Sequence, residues 1–206
     1  MKIIQLISTV FLMTLGMAPA NAMSVSFDLA GSPTSSVAVT SFTSGGFFCN
    51  FTGCGIDVAL DSNLDSQQNS LSVGDSWTIP FFDISFHGAG GGTATIAATL
   101  GFDAPTGAPS SGVGSGGFLT FFGAITGGNL NWNTQPGITT LADGTSYSVN
   151  FQNLSGITTG NATVNATIKL LSEASSVPEP DALVLVGIGL VGLSFFSRRA
   201  KTQTYA

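Results

Sequence analysis

The sequence predicts an all-β protein, an antiparallel β-sandwich or a jelly-roll-like domain, with an apolar segment at each end of the chain. Several segments alternate apolar and polar residues with a period of two, which is typical of half-buried antiparallel strands. Turns rich in Gly, Ser, Asn and Asp separate these segments. Between the two ends, no segment combines an apolar period of 3.6 residues with helix caps, so the domain is not expected to contain long helices.

The N-terminus has the three parts of a secretory signal peptide. Lys2 supplies the basic part, residues 3–17 form the apolar part, and residues 18–22 end in small residues of the A-x-A type. We therefore predict a signal peptide over residues 1–22, with cleavage after Ala22 and a second possible site after Ala20. The mature protein is expected to be exported.

The central part of the 206-residue chain, residues 23–171, is long enough for one domain with its own core. It contains eight aspartates and one cation, Lys169, with no arginine and no glutamate, which gives a net charge of −7 with histidine neutral. Such a surface repels nucleic acid phosphates and offers no cationic clamp for an anionic substrate. The composition predicts that nucleic acid is not a partner.

The clearest period of two occurs in residues 93–102, 146–152 and 161–170. Residues 76–86 and 117–125 are apolar on both faces and are predicted to be interior strands, with a bulge or a sheet edge at Pro80. Shorter segments with strand composition are residues 24–29, 36–42, 56–60 and 130–133. The Gly- and Ser-rich residues 107–117 are expected to form a long loop within one domain, and a linker between two units is the alternative.

Cys49 and Cys54 are the only cysteines of the chain. Because an exported protein folds outside the reducing cytosol, these two residues are predicted to form a disulfide. The loop-entropy model gives roughly 2 kcal/mol of stabilisation for a ring of this size. A metal or iron–sulfur site would need further ligands, and none lies nearby in the sequence.

Asp61, Asn63 and Asp65 have the spacing of the first three oxygen ligands of a calcium-binding loop. The rest of that pattern is missing, because Ser66 replaces the turn glycine and Ser72 stands where a bidentate glutamate is required. We favour a turn held by its own Asp and Asn side chains, with a calcium site as the alternative.

His87 is the only histidine, which excludes a zinc site with two histidine ligands. It is expected at the end of a strand beside a flexible glycine turn, and no G-x-S-x-G motif supplies a serine nucleophile. A glycoside hydrolase would need two facing carboxylates, and Asp83 and Asp103 are candidates because both are expected to end neighbouring strands. No catalytic residue and no cofactor is assigned.

The C-terminal end has a tripartite order after a short spacer, residues 172–176. Residues 177–201 comprise a motif (Val177, Pro178, Glu179 and Pro180), an uncharged apolar run (182–197) and a basic tail (198–201, with Arg198, Arg199 and Lys201). As a helix the apolar run would be about 24 Å long. This is shorter than a hydrocarbon core of about 30 Å, so bilayer thinning and snorkelling cations are needed to span it. A transmembrane helix with a cytoplasmic basic tail is predicted.

A Pro-Glu-Pro core, an apolar run with spaced glycines and a pair of arginines in this order resemble the PEP-CTERM sorting signal of bacterial exported proteins. The resemblance implies that an exosortase, a membrane-embedded cysteine transpeptidase, recognises the precursor in the inner membrane and processes it at this motif. It also implies a final location at the cell surface or in the extracellular matrix, associated with extracellular polysaccharide or biofilm.

We expect the domain to be a structural or interaction protein and not an enzyme. Acyl or phosphoryl transfer requires a base, an oriented nucleophile and a donor or cation for the developing charge, and this composition supplies few such groups. A carbohydrate-binding module is the alternative, with Trp77, Trp132 and Tyr147 as stacking platforms if their rings are exposed. A glycoside hydrolase is the less favoured alternative.

Overall fold

The computed structural model describes residues 24–45, 49, 51, 53–106, 109–121, 124–133, 137–158, 160–174 and 186–190. The predicted signal peptide at residues 1–22 lies outside these ranges. The chain divides into two compact units, Met1–Glu173 and Ala174–Ala206. The described residues of the first unit are called the body below.

The body consists mainly of twelve strands. They are β1 (Val25–Ala30), β2 (Ser36–Gly45), β3 (Gly55–Leu60), β4 (Gln68–Leu71), β5 (Ser76–His87), β6 (Gly90–Ala104), β7 (Ser110–Phe121), β8 (Ala124–Trp132), β9 (Gly137–Thr140), β10 (Ser146–Phe151), β11 (Leu154–Ser155) and β12 (Asn161–Ser172). A 3₁₀ turn, Leu64–Ser66, lies between β3 and β4.

The strands form two sheets, and every strand pair is antiparallel, as predicted. The seven-stranded sheet has the order β11-β8-β7-β6-β1-β4, with β2 also paired to β6. The five-stranded sheet has the order β3-β5-β12-β10-β9. The long strand β6 pairs with both β2 and β7 over its first part and with β1 near its end, so it is the centre of the larger sheet.

One apolar core joins the two sheets. The apolar residues predicted to share a face of β6 and of β10 are buried in it, namely Ala94, Ile96, Ala98, Leu100, Phe102, Tyr147, Val149 and Phe151. Phe27 of β1 meets Tyr147 of β10 edge-on, with 5.4 Å between ring centroids. Burial raises the pKa of the Tyr147 phenol, while its hydrogen bond with Thr139 acts in the opposite direction. A cavity lined by Ile56, Phe86 and other core side chains measures about 10 Å³, room for about one water molecule.

Pro80 lies at a bulge, which confirms one of the two options predicted for it. The register of β12 against β5 shifts there, because Val164 faces Phe82 whereas the next residue, Asn165, faces Pro80. The extra residue, Phe81, changes the phase of the strand, so that Phe81 and Phe82 are both buried although they are consecutive. Their rings meet edge-on at 5.4 Å.

Two sequence predictions for residues 107–125 are wrong, whereas the strand predicted at residues 130–133 is present as the end of β8. Residues 107–117 were expected to form a loop, but β7 begins at Ser110. Residues 117–125 were expected to form one interior strand, but β7 ends at Phe121 and the antiparallel strand β8 begins at Ala124. The sequence does not predict the first half of β7, because glycines stand at the core-facing positions where apolar residues would normally indicate a strand.

Those glycines make room for aromatic rings. A Cβ atom on Gly114 would lie 2.9 Å from Cε3 of Trp132, and one on Gly112 would lie 2.9 Å from Cδ2 of Phe151. The indole Nε1 of Trp132 donates to the carbonyl oxygen of Gln152 at 3.0 Å, which satisfies the polar atom of this buried ring. Gly112 and Gly114 therefore let the rings of Phe151 and Trp132 approach the backbone of β7 closely.

In the second unit, residues 186–190 are helical. The rest of the predicted transmembrane helix, residues 182–197, lies outside the described residues. Within the described parts of the chain, no helix has both the length and the apolar character needed to cross a bilayer.

The packing of β7 predicts that two glycine substitutions differ in their effect on the free energy of unfolding. Gly114→Ala should lower the free energy of unfolding by about 1–3 kcal/mol, because its methyl group would press on the Trp132 ring. Gly127→Ala, on the adjoining strand, should change it by less than about 0.5 kcal/mol, since no atom lies within 4 Å of the added Cβ. Urea denaturation of the exported protein measures both values. Equal effects of the two substitutions would contradict this account of β7.

Candidate functional site

The predicted disulfide between Cys49 and Cys54 is present, with 4.9 Å between the two Cα atoms. The glycine turn after β5 packs closely on this disulfide loop. Gly88 has a φ of +81°, and a side chain there would collide with the backbone of Gly53 and Cys54. A side chain on Gly90 would collide with Cys49. Close contact with the disulfide loop explains these glycines, which the sequence suggested only as a flexible turn.

His87 ends β5, as expected, and its Nδ1 lies 3.0 Å from Oδ2 of Asp57 on β3. The imidazole ring rests above Gly55, where a Cβ atom would collide with it. Both side chains of the pair are largely exposed, 58% for His87 and 73% for Asp57. The pair is therefore open to solvent and lacks the water-excluded surroundings in which such pairs act strongly on a substrate.

The Asp61 segment is a turn held by its own side chains, as favoured from the sequence. The carboxylate of Asp61 accepts a hydrogen bond from the backbone N–H of Asn63 at 2.8 Å. Oδ1 of Asp65 accepts from the backbone N–H of Gly31 at 2.7 Å, which ties the turn to the end of β1. In the described part of the chain, no group of three or more His, Cys, Asp or Glu side chains is placed to hold a metal ion.

The expectation that Asp83 and Asp103 end neighbouring strands is wrong. Asp83 lies in the middle of β5 in the five-stranded sheet, and Asp103 lies near the end of β6 in the seven-stranded sheet. Both residues are exposed on faces turned away from the shared core. Oδ1 of Asp83 accepts a hydrogen bond from the hydroxyl of Thr163 at 2.6 Å. The two carboxylates do not share a cleft, as a glycosidase pair must.

The aromatic residues proposed as sugar platforms are mostly inside the body. Tyr147 is fully buried, and Trp132 has 8% of its surface exposed. Trp77 is half-buried and packs against the core. Because the rings of Trp132 and Tyr147 are buried in the core, they do not form the predicted stacking platform.

A groove of about 760 Å³ lies on the outer face of β2, β6, β7 and β8. A second depression of about 380 Å³ adjoins it and shares Thr43, Thr93, Gly117 and Asn129 with it. We call these two depressions together the outer groove.

The strand register arranges the lining of the outer groove in rows that cross all four strands. One row is Ser41, Thr95, Ser115 and Asn131; the next is Thr43, Thr93, Gly117 and Asn129; the third is Gly45, Gly91, Leu119 and Gly127. The first two rows therefore present hydroxyl and amide groups. The third row is a glycine floor with one exposed aliphatic side chain, Leu119.

No charged residue lines the outer groove among the residues that the structure describes. Alternation in residues 93–102 places Thr93 and Thr95 opposite the apolar residues, but it does not indicate a groove. The groove also requires β2, β7 and β8, which strand pairing joins to β6 in one sheet. Strand β7 and the start of β8 lie in residues 107–125, where the sequence predictions are wrong. The arrangement offers neutral hydrogen-bond donors and acceptors over a surface that is open to large molecules.

The chain was compared with protein families, curated proteins and solved structures. A family model described as the PEP-CTERM protein-sorting motif matches residues 176–199. No curated protein and no solved structure matches the chain. The match covers the Pro-Glu-Pro motif, the apolar run and both arginines. The chain therefore carries the PEP-CTERM protein-sorting motif, which implies an exported protein that is anchored in the membrane before an exosortase processes it.

Proposed function

We propose that the body of this exported protein acts by contact and not by turnover. In this proposal it is a structural or interaction protein of the cell surface or extracellular matrix, and it associates there with extracellular polysaccharide. The observation that carries the proposal is the outer groove, a large uncharged surface in which rows of hydroxyl and amide groups stand on a mostly apolar lining, in a central domain of net charge −7.

The distribution of ionisable groups supports the contact hypothesis. The described body holds one histidine and one lysine, and its aspartates are spread over strands and turns of both sheets. His87 and Asp57 form an exposed pair on the five-stranded sheet, whereas the outer groove belongs to the seven-stranded sheet. The histidine–aspartate pair is therefore on a different sheet from the depression that could hold a large ligand, and no aspartate lines that depression among the described residues.

The alternatives from the sequence receive less support. A glycoside hydrolase would need two carboxylates across a cleft, and its candidates Asp83 and Asp103 lie on different sheets. A carbohydrate-binding module built on Trp132 and Tyr147 would need exposed rings, and both rings are buried. Binding of a saccharide through hydroxyl and amide groups is compatible with the contact hypothesis.

The sorting segment predicts the fate of a motif variant. Replacement of Pro178, Glu179 and Pro180 by alanine should leave an unprocessed precursor in the inner membrane, because an exosortase would no longer recognise its site. Fractionation and immunoblotting of the native host would show a longer protein in the membrane fraction. Processing of the variant at the wild-type rate would contradict exosortase sorting.

The contact hypothesis predicts that no single ionisable side chain of the body is essential. His87→Ala and Asp83→Asn, at matched protein levels, should retain the wild-type phenotype within about twofold, since both side chains are exposed and outside the outer groove. A biofilm or surface-retention assay in the native host measures this phenotype. If either variant behaved like the deletion strain while folding normally, the contact hypothesis would be wrong.

A further inference from the structure

We propose that the outer groove is the binding site for one chain of an uncharged polysaccharide, which lies across β2, β6, β7 and β8. This inference rests on the proposed function and deepens it, because it assigns the contact to named residues and to one chemical class of ligand. The lining, the electrostatics and the backbone support of the groove favour this ligand.

The polar rows of the groove match the hydrogen-bonding character of a sugar chain. Thr43, Thr93 and Asn129 lie in one row, and hydroxyl and amide groups can each donate to and accept from a sugar hydroxyl. Adjacent strands are about 4.8 Å apart and residues of successive rows about 6.8 Å apart, so the groups form a regular array. A polymer with hydroxyl groups along its length can use several rows at once.

The third row gives the groove its depth and one apolar contact. Gly45, Gly91 and Gly127 carry no side chains, and the side chain of Leu119, 62% exposed, lies over Gly91, where an added Cβ would be 2.8 Å from its Cδ2. The C–H faces of a sugar ring are apolar and can pack on such an aliphatic side chain without an aromatic platform. The groove therefore combines polar rows with a mostly apolar lining, as sites for amphipathic ligands commonly do.

The charge of the domain and of the groove lining favours an uncharged ligand. The central domain has a net charge of −7, so an anionic polymer would be repelled at long range. The groove itself lacks charged side chains among its described residues, so a cationic ligand would find its partners on the acidic surfaces outside the groove. A neutral polymer loses no ion hydration on entering this site.

Strand pairing and contacts with the disulfide loop hold the backbone of the groove in place. Its floor consists of paired strands, and the side chain of Asn129 accepts from the backbone N–H of Gly117 at 3.4 Å. At the glycine end, Sγ of Cys54 lies 3.7 Å from the carbonyl oxygen of Gly91, which connects the floor to the disulfide loop. A site that is already ordered loses less conformational entropy when it binds a ligand.

Affinity electrophoresis of the full-length exported protein tests this inference. Native gels would contain hydroxyethylcellulose, dextran or galactomannan as uncharged polymers, or carboxymethylcellulose as an anionic polymer. Carboxymethylcellulose shares its backbone with hydroxyethylcellulose, so these two gels isolate the effect of charge. We expect at least one uncharged polymer to retard the protein, and carboxymethylcellulose to retard it less at low salt.

Gly127→Phe fills the groove and should weaken retardation by about tenfold or more. No atom lies within 4 Å of a Cβ at this position, so a side chain can begin there without a collision, and Gly127 lines the groove. Gly160→Phe is the matched control, because the space around Gly160 is equally open and it lies outside the groove lining. The control should bind like the wild type.

A second pair of variants keeps the shape of the groove and removes hydroxyl groups. Thr43→Val with Thr93→Val replaces a cross-strand pair in the groove and should weaken binding several-fold. Thr78→Val with Thr167→Val replaces a cross-strand pair on the five-stranded sheet and should have no effect on retardation. Valine keeps the β-branched shape, so both double variants should fold.

Three outcomes would overturn the inference. The first is an absence of retardation of the wild type by every uncharged polymer. The second is equal binding by Gly127→Phe and Gly160→Phe, which would place the ligand elsewhere and leave the proposed function intact. The third is a concentration-dependent dimer, seen by size exclusion, that Gly127→Phe abolishes, because the groove would then be an interface between two copies of this chain.

Discussion

The packing of aromatic rings against two glycines on the inner face of β7 shapes both the interior and the exterior of this body. Gly112 and Gly114 of β7 leave space for the rings of Phe151 and Trp132 between the sheets. Because side chains alternate along a strand, turning Trp132 inward turns its neighbour Asn131 outward. This alternation places the aromatic residues in the core and places Ser, Thr, Asn and Gly residues on the outer face. The outer groove is lined by residues of the outer face.

The disulfide loop and the groove are connected through the turn between β5 and β6. Gly88 and Gly90 permit that turn to pack on the loop, and Gly91, the next residue, lies in the groove floor. Export places the chain in an oxidising compartment, where the Cys49–Cys54 bond can form and support this corner. Both parts of the chain therefore depend on export. The sorting segment needs it for processing, and the body needs it for the disulfide.

The sequence predicted the fold wherever period-two alternation was strong, and failed where glycine removed it. Strands β6, β10 and β12 follow from their alternating residues, and Pro80 indicated its bulge. The hairpin of β7 and β8 was missed because a glycine facing the core gives the same signal as a loop glycine. The outer groove could not be predicted, since its rows join β2, β6, β7 and β8 through a register that only the folded sheet defines. The sorting motif is local in the chain and needed no tertiary information.

We propose that this protein works through an uncharged surface on its seven-stranded sheet. The most direct measurement is a nuclear magnetic resonance titration of the ¹⁵N-labelled exported protein with short fragments of hydroxyethylcellulose, dextran and galactomannan in turn. With at least one of them, amide shifts should change at the groove residues of β2, β6, β7 and β8, while the amides of Asp57, Asp83 and His87 stay unchanged. Changes confined to the five-stranded sheet, or an absence of changes with every fragment at millimolar concentration, would contradict this proposal.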